Sequence, residues 1–352
     1  MKIAFIIGSL AGGGAERVVS ELATEMSAQG HEVAVIVVSS NKKTYYIPDA
    51  VKFIDCAKNY KLRGIGYLNR INDIRKELKS FGAEVCISFN TNVNFYAVFS
   101  CVGLPFRLVL SERNDPVIYP QSKISRLMRK ILYRGKFKYV FQTEQAMSFF
   151  SEKIQRNSCV IFNPLNPDLP TPFVGERSKR IVTAVRLEPQ KNLKMAIDAF
   201  SMSKAPDNGF VFEIYGDGSL KGELTDYIIS KNFEDKIILK GNSSTLYDDI
   251  SDAYAFVLSS DYEGMSNSML EAMALGIPTI STDYPSGGAK AVIVNGHNGI
   301  LVPVGDVKAM TDALNNLIDD SDYANSLSSN SEKLRYELSV ERITKEWLSF
   351  IS

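Results

Sequence analysis

Residues 261–282 read DYEGMSNSMLEAMALGIPTIST, and this stretch decides the fold. An apolar run at 254–260 precedes it and ends in two serines, which is typical of a buried parallel strand at its carboxyl end. Helix-capping residue types and a helical apolar periodicity follow, and Gly276 ends the predicted helix. The pattern predicts a strand–loop–helix–strand unit with Glu263 on the loop and Glu271 on the helix. Because amides at a helix N-terminus attract phosphate and carboxylates accept hydrogen bonds from sugar hydroxyls, this loop suits a sugar nucleotide.

The rest of the chain repeats this organisation in two halves. Its 352 residues favour two domains. A strand, a glycine loop, a helix and a second strand open the first half, as in a doubly wound α/β domain. Four prolines between residues 163 and 172 mark a boundary, because such a segment is stiff and extended. The sequence predicts an α/β protein with two Rossmann-like domains: residues 1–165, a linker at 166–178, residues 179–335, and a terminal helix at 336–352 that docks back on the first domain.

The loop Gly8-Ser-Leu-Ala-Gly-Gly-Gly14 follows the first predicted strand. Glycines let backbone N–H groups approach a diphosphate closely, although a tight turn alone would use the same residues. The spacing is not Gly-x-Gly-x-x-Gly, and serines rather than an acid follow the second strand. A nicotinamide cofactor is therefore disfavoured.

Polar residues also follow later strands. Arg186 and Lys191 lie five residues apart after the strand at 180–185, where a cation pair suits a diphosphate and a solvated surface turn is the alternative. The glycines of Gly216-Asp-Gly218 are interpreted as allowing a turn and close packing. In the first half, Glu112-Arg-Asn-Asp115 follows the strand at 106–111 and is interpreted as a functional segment at the edge of its sheet.

A basic amphipathic segment at 122–139 is the other feature of the first half. It carries seven Lys or Arg and no acid, and residues 1–165 hold 23 basic against 13 acidic side chains. Such a helix is typical of a membrane-surface element, whose lipid-facing residues are predicted to be Lys123, Arg126, Arg129 and Lys130. The alternative is a helix that buries its apolar stripe on its own domain. Nucleic acid is disfavoured, because no binding motif accompanies the charge.

Several chemistries are disfavoured by what the sequence lacks. Its only histidines, His31 and His297, lie far apart without a carboxylate motif, so no metal site is predicted. The four cysteines have no metal-ligand spacing and suit free thiols in a cytoplasmic protein. No apolar run approaches the roughly 18 residues of a membrane span. Neither a Gly-x-Ser-x-Gly nor a Walker A sequence occurs. The remaining loops, cations and glutamates fit stabilisation of a departing nucleotide diphosphate by fixed charge.

Five motifs occur in order along the chain: Gly12-Gly-Gly-Ala-Glu-Arg17, Arg186 to Asn192, Tyr215-Gly-Asp-Gly218, Glu263 to Pro278, and Asn298 to Pro303. Together they resemble the retaining glycosyltransferases of family 4, which have the GT-B fold of two Rossmann-like domains facing across a cleft. The first motif and Ser111-Glu-Arg-Asn-Asp115 are similar to segments of the bacterial enzymes that extend lipid-linked oligosaccharides.

The resemblance implies a role for each matching position. Arg186 and Lys191 bind the donor diphosphate, Glu271 accepts hydrogen bonds from the ribose hydroxyls, and Glu263 holds a hydroxyl of the donor sugar. The implied catalytic residues are Glu263, Arg186 and Lys191. The implied donor-binding residues are Gly13, Gly14, Arg186, Lys191, Glu263, Gly264, Met265, Ser266, Asn267 and Glu271. The implied acceptor-side residues are Gly12, Arg113 and Asn114.

Two positions depart from the family pattern. Many members carry a histidine on a first-domain loop near the donor sugar, whereas this chain has none between His31 and His297. Arg113 or Asn114 is interpreted as its replacement. Ala291 stands where many members have a glutamate after a Gly-Gly pair.

The resemblance thus implies a metal-independent retaining hexosyltransferase without a cofactor. It would move a sugar from a UDP-sugar, rather than a GDP-sugar, to a polyprenyl-diphosphate-linked saccharide in surface polysaccharide or glycan assembly. Its partners would be the nucleotide-sugar donor, the lipid-linked acceptor and the inner-membrane surface, with the protein peripheral on the cytoplasmic face. Two alternatives remain: the same fold acting on a small soluble or lipid acceptor, and an inactive nucleotide-sugar-binding protein.

Overall fold

The computed structural model describes residues 1–58 and 63–352. The chain divides into two compact units. The first holds Met1–Pro164 together with Val340–Ser352, and the second holds Leu165–Ser339.

A parallel sheet forms the centre of the first unit. Its strands are β1 (Lys2–Ile7), β2 (Glu32–Val37), β3 (Lys52–Asp55), β4 (Val85–Phe89), β5 (Arg107–Ser111), β6 (Lys138–Phe141) and β7 (Ser158–Val160). They pair in the order β3-β2-β1-β4-β5-β6-β7. The helices are α1 (Gly14–Ala28), α2 (Arg63–Phe81), α3 (Thr91–Cys101), α4 (Lys123–Leu132), α5 (Glu144–Ser148) and α6 (Glu152–Gln155). The central strands read as continuous apolar runs because helices cover both faces of a parallel sheet.

The second unit has the same plan. Its strands are β8 (Ser178–Ala184), β9 (Val211–Tyr215), β10 (Ile237–Gly241), β11 (Ala253–Leu258), β12 (Thr279–Thr282) and β13 (Ile300–Val302). They form a parallel sheet in the order β10-β9-β8-β11-β12-β13. The helices are α7 (Leu193–Met202), α8 (Lys221–Ser230), α9 (Leu246–Ile250), α10 (Asn267–Ala274), α11 (Val307–Asp319), α12 (Ser321–Ser331) and α13 (Leu334–Glu337).

The strand order of each sheet reverses at one point. In the first sheet β1 lies beside β4, and in the second sheet β8 lies beside β11. Connections leave to opposite sides there, so the loops at the carboxyl ends of the two strands diverge and leave room for a ligand. The predicted functional residues of the second unit follow β8 and β11, the two strands at this point.

The terminal helix α14 (Val340–Ile351) belongs to the first unit. Trp347 is fully buried and stacks on Phe89, with ring centroids 5.6 Å apart. Arg107 donates a hydrogen bond to the Ser352 carbonyl at 2.6 Å, which satisfies a group at the C-terminal end of the helix.

The segment at 166–178, predicted as a linker, is grouped with the second unit. The Arg335 guanidinium donates to the carbonyls of Leu169 and Pro170. Arg177 donates to the carbonyls of Ser251 and Ala253. Proline residues leave this segment without regular backbone pairing. Arg335 satisfies two of its carbonyls, and Arg177, within the segment, satisfies two carbonyls outside it.

Candidate active site

Two loops meet at the carboxyl ends of β8 and β11. The backbone N–H of Asp261 donates to the Gln190 carbonyl at 2.9 Å, and the Ser259 hydroxyl donates to the Lys191 carbonyl at 2.8 Å. Asn192 adds a side-chain hydrogen bond to the Asp261 carboxylate at 2.7 Å. The fold therefore locks together two segments that the sequence separates by about seventy residues.

The Glu263 carboxylate is the centre of this junction. Lys191 Nζ forms an ion pair with Oε1, and both side chains are 11% exposed. Ser260 Oγ donates to Oε1 at 2.9 Å, and Gln190 Nε2 donates to Oε2 at 3.0 Å. We call these four residues the Glu263 cluster. Its charges are held in place before any ligand arrives, which is the arrangement that electrostatic stabilisation of a developing charge requires.

Two members of the Glu263 cluster, Gln190 and Ser260, are absent from the sequence predictions. Each of them borders a predicted residue or strand: Gln190 precedes Lys191, and Ser260 follows shortly after β11. Position at the carboxyl end of a central strand is the signal that could have identified Ser260. Nothing local distinguishes Gln190 from a solvated loop residue.

Arg186 lies on the same loop as Lys191 but is exposed. It makes no salt bridge with any residue in the described ranges. The turn with Gly216 and Gly218 packs directly against the backbone on either side of Arg186. A Cβ at Gly216 would stand 1.9 Å from the Val185 carbonyl oxygen, and a Cβ at Gly218 would stand 2.5 Å from the Leu187 carbonyl oxygen. The interpretation of these glycines as residues of close packing is confirmed.

The helix α10 starts directly after the loop that carries Glu263. Ser266 caps it, and its hydroxyl accepts from the Met269 N–H at 3.4 Å. Met265 and Ser266 are buried, whereas Gly264 and Asn267 are partly exposed. Glu271 lies in the second turn and is only 4% exposed. The predicted donor-binding residues from Glu263 to Glu271 thus occupy one continuous turn-and-helix segment, and Arg186 and Lys191 lie on the other loop.

A glycine loop after β12 packs directly on that segment. The Ser286 hydroxyl donates to the Gly264 carbonyl at 3.0 Å. A Cβ at Gly288 would lie 2.1 Å from the same carbonyl oxygen and 2.8 Å from the Tyr284 hydroxyl. Only glycine fits at position 288, so this loop sets the position of Gly264.

In the first unit, the glycine loop leads into α1. Gly13 is its N-cap residue, and Gly14 is the first helical residue. Gly12 has φ +107°, a conformation that favours glycine, and both Gly12 and Gly14 are exposed. The predicted loop therefore ends at a helix N-terminus, as the phosphate-cradle interpretation requires.

Arg113, predicted on the acceptor side, is buried in the first unit. Arg113 is 7% exposed, its guanidinium stacks on Phe89 and Trp347, and Nη1 donates to Asn163 at 2.9 Å. Burial lowers the pKa of Arg113 to about 9. The side chain thus packs against α14, and its acceptor-side role stays a prediction. Asn114 is partly exposed, and its amide contacts the Asn90 side chain at 3.5 Å.

The prediction for the basic segment is corrected at one position. The helix α4 exposes Lys123, Arg126 and Lys130, but Arg129 is only 6% exposed. Its guanidinium donates to the Pro116 and Tyr119 carbonyls, both at 2.7 Å. It therefore satisfies buried backbone and cannot face a membrane.

The apolar stripe of α4 is the unexpected part of this helix. Met128 and Leu132 pack against the core. In contrast, Ile124 is 73% exposed, Leu127 58% and Ile131 49%. The helix is thus held by one side while an apolar row, flanked by basic residues, points to solvent.

Sequence comparisons match both units to known families. Residues 12–167 match the family described as Glycosyltransferase Family 4, and residues 171–334 match Glycosyl transferases group 1. The two matches together span nearly the whole chain. The chain belongs to the family-4 glycosyltransferases.

The sequence of this glycosyltransferase matches those of its relatives over most or all of its length. It is 26% identical to a Campylobacter jejuni α-1,4-N-acetyl-D-galactosaminyltransferase named for a GalNAc-GalNAc-diNAcBac-PP-undecaprenol substrate, covering 100% of this chain and 98% of that protein. It is 27% identical to a second C. jejuni enzyme, an N-acetylgalactosamine-N,N'-diacetylbacillosaminyl-diphospho-undecaprenol 4-α-N-acetylgalactosaminyltransferase, covering 91% and 90%. Among solved structures, Anabaena HepE in complex with UDP and glucose has a TM-score of 0.82 at 16% identity, covering 99% and 98% of the two chains.

This glycosyltransferase therefore has the predicted GT-B fold with two Rossmann-like domains. Within residues 1–58 and 63–352, no group of three His, Cys, Asp or Glu side chains is placed to hold a metal ion. Over the same residues, no helix combines the length and apolar character needed to span a bilayer.

Proposed function

We propose that this glycosyltransferase transfers a sugar from a UDP-sugar to a polyprenyl-diphosphate-linked saccharide, with retention of anomeric configuration. The Glu263 cluster, together with the exposed Arg186 on the same loop as Lys191, is the observation that carries this proposal. Arg186, Lys191 and the Glu263 carboxylate lie at the reversal point of the second sheet, where ligands of such sheets bind, and this position supports the proposal.

The donor would lie along this edge in a defined direction. Arg186 and Lys191 neutralise the diphosphate, Glu271 accepts the ribose hydroxyls, and Glu263 holds a hydroxyl of the transferred sugar. Glu263 has a second role, because its ion pair positions Lys191. The amides at the start of α10 complete the anion site. HepE, a structural relative solved in complex with UDP and glucose, supports uridine as the nucleoside.

The reaction follows from these charges. Negative charge develops on the departing diphosphate, and Arg186 and Lys191 stabilise it by fixed charge. No side-chain base is assigned, so the departing phosphate accepts the proton of the acceptor hydroxyl on the face where the new bond forms. Attack on that face retains the configuration.

The acceptor proposal rests on the relatives and on charge. Both C. jejuni relatives are named for undecaprenol-diphosphate-linked saccharides. Residues 1–165 carry 23 basic against 13 acidic side chains, which favours a diphosphate-bearing lipid as partner.

The helix α4 is proposed as the membrane contact. Its exposed row of Ile124, Leu127 and Ile131 can enter the interface, while the exposed Lys123 and Lys130 meet anionic headgroups. The protein would thus be peripheral on the cytoplasmic face of the inner membrane, where the lipid-linked acceptor is held.

The proposal is tested by transfer assays with a panel of UDP- and GDP-sugars and a polyprenyl-diphosphate-linked acceptor. We expect turnover with one UDP-sugar and a product whose anomeric configuration, read by NMR, matches the donor. Preference for a GDP-sugar, or an inverted product, would refute the corresponding part of the proposal.

Reversing two charges on α4 is expected to weaken membrane binding. The double variant Lys123→Glu/Lys130→Glu should bind vesicles containing phosphatidylglycerol at least about 30-fold more weakly, since each basic residue near an anionic surface contributes roughly 1 kcal/mol. Vesicle sedimentation measures the change. The matched control is Lys76→Glu/Lys79→Glu, which alters the same net charge at exposed positions of α2. Equal binding of both double variants would contradict the assignment of α4.

Chelation of divalent metals is expected to leave activity unchanged. Arg186 and Lys191 supply the positive charge that a metal ion provides in other transferases. Initial rates in EDTA and in Mg²⁺ provide the measurement. A rate that vanishes in EDTA and returns with Mg²⁺ would refute the metal-independent mechanism.

A further inference from the structure

A second buried carboxylate, Glu112, lies directly after β5 in the first unit and is 2% exposed. Thr91 Oγ1 donates to it at 2.7 Å, and Asn94 Nδ2 donates at 3.0 Å. The Tyr133 hydroxyl donates to the same oxygen as Asn94. Burial raises the pKa of Glu112, while these donors and the nearby Arg129 charge oppose the rise. The carboxylate therefore joins the start of α3 to the end of α4.

Tyr133 connects this carboxylate to α4. It is the C-cap residue of the helix, and its N–H donates to the Arg129 carbonyl at 2.9 Å. Its ring is 5% exposed and packs on Tyr139 and Phe150, with centroids 5.4 and 5.9 Å away. The hydroxyl also accepts from Asn94 Nδ2 at 2.8 Å. Replacing it would leave the ring packing in place and remove only these two hydrogen bonds.

Arg129 and Tyr133 lie one turn apart and so share one side of the helix. That side is anchored, by Tyr133 to Glu112 and by Arg129 to the Pro116 and Tyr119 carbonyls. At 100° per residue, the exposed row of Ile124, Leu127 and Ile131 lies on the opposite side. Fixing the anchored side therefore fixes the direction in which the apolar row points.

We propose that Glu112 is a positioning residue that acts through Tyr133 to hold α4 in the orientation that presents its apolar row to the membrane. This inference rests on the proposed membrane role of α4. Glu112 touches neither substrate. It affects binding of the lipid-linked acceptor, because it sets the orientation of α4 at the membrane.

The tests are Tyr133→Phe and Glu112→Gln. Tyr133→Phe removes the hydrogen bonds of its hydroxyl with Glu112 and Asn94, and Glu112→Gln removes the charge on which the Tyr133 hydroxyl is held. Loss of a hydrogen bond to a charged group should weaken binding to phosphatidylglycerol vesicles by about tenfold. The KM for a vesicle-embedded acceptor should rise by a similar factor, while kcat and UDP affinity stay unchanged. The matched control is Tyr227→Phe, which removes a hydroxyl that donates to the Asp198 carboxylate at 2.7 Å in the second unit. It should alter neither vesicle binding nor the acceptor KM.

A role in general stability predicts a different result, namely a lower Tm with kcat and both substrates affected alike. If Glu112→Gln does not fold, Tyr133→Phe decides, because its ring packing remains. Wild-type vesicle binding and acceptor KM in Tyr133→Phe overturn the inference.

Leu127→Asp separates this failure from failure of the proposed function. If the wild type binds vesicles and Leu127→Asp does not, only the role of Glu112 is in question. If wild type and Leu127→Asp behave alike, the membrane role of α4 fails and the inference with it.

Discussion

Replacing Lys191 with alanine is expected to lower kcat/KM for sugar transfer by about 100- to 1,000-fold, the usual effect of removing one preorganised group from a developing charge. Lys191 Nζ is held on the Glu263 carboxylate at low exposure, so the substitution removes a fixed cation. It also leaves that carboxylate with only the neutral donors Gln190 and Ser260. Both the proposed diphosphate contact and the proposed sugar contact are therefore weakened at once.

Steady-state kinetics with the UDP-sugar found in the panel, together with UDP affinity, measure this change. The matched control is Lys194→Ala, because Lys194 is an exposed lysine three residues away that pairs with Glu223 on the surface. It should retain full activity. Thermal melting shows whether the Lys191 variant is folded at the assay temperature. A folded Lys191→Ala variant with near wild-type kcat/KM would refute the diphosphate assignment.

Replacing Gly288 with alanine is expected to abolish most of the activity and to lower stability by about 1–3 kcal/mol or more, as overpacking does. The added Cβ would stand 2.1 Å from the Gly264 carbonyl oxygen, a backbone atom that cannot rotate away. The loop that carries Glu263 must then shift by about an ångström, and a misplacement of that size costs about 100-fold in rate.

Gly222→Ala is the control for this substitution. Gly222 lies in α8, and a Cβ there would meet nothing within 4 Å. Alanine favours a helix by about 1 kcal/mol over glycine, so this variant should be equally active and slightly more stable. Tm values and kcat/KM of the two variants are compared. Wild-type activity in Gly288→Ala would mean that the position of Gly264 does not matter for transfer.

The sequence predicted the architecture well because its signals are local. Each strand is a short apolar run, each helix has its own periodicity, and each glycine loop has a recognisable composition. The same is true of the motifs: Arg186, Lys191, Glu263 and Glu271 stand in short segments that identify the family. Their individual roles remain predictions until the variants are measured.

Pairings across long sequence distances were not predictable in this way. Nothing in the two segments indicates that Lys191 and Glu263 form an ion pair, or that Gln190 and Ser260 complete the cluster. These contacts exist because β8 and β11 are neighbours in the sheet. Gly288 contacts Gly264 because the strands before them, β12 and β11, are also neighbours in the sheet.

The burial of two arginines has one cause. A basic residue in a sequence is expected in water, because burying a charge is costly. Arg113 and Arg129 are nevertheless buried, since stacked aromatic rings hold the first and backbone carbonyls satisfy the second. Partners of this kind come from distant parts of the chain, such as Trp347 for Arg113.

The sequence by itself determined the family, the two-domain α/β class and the short segments that carry the proposed donor-site residues, because these depend on local periodicity and composition. Only the tertiary structure decided which side chains meet at Glu263, which cations are buried, and which side of α4 is anchored on Glu112. Periodicity shows which residues share a face of a helix. It cannot show which face the rest of the protein covers, because that depends on contacts between elements far apart in the chain.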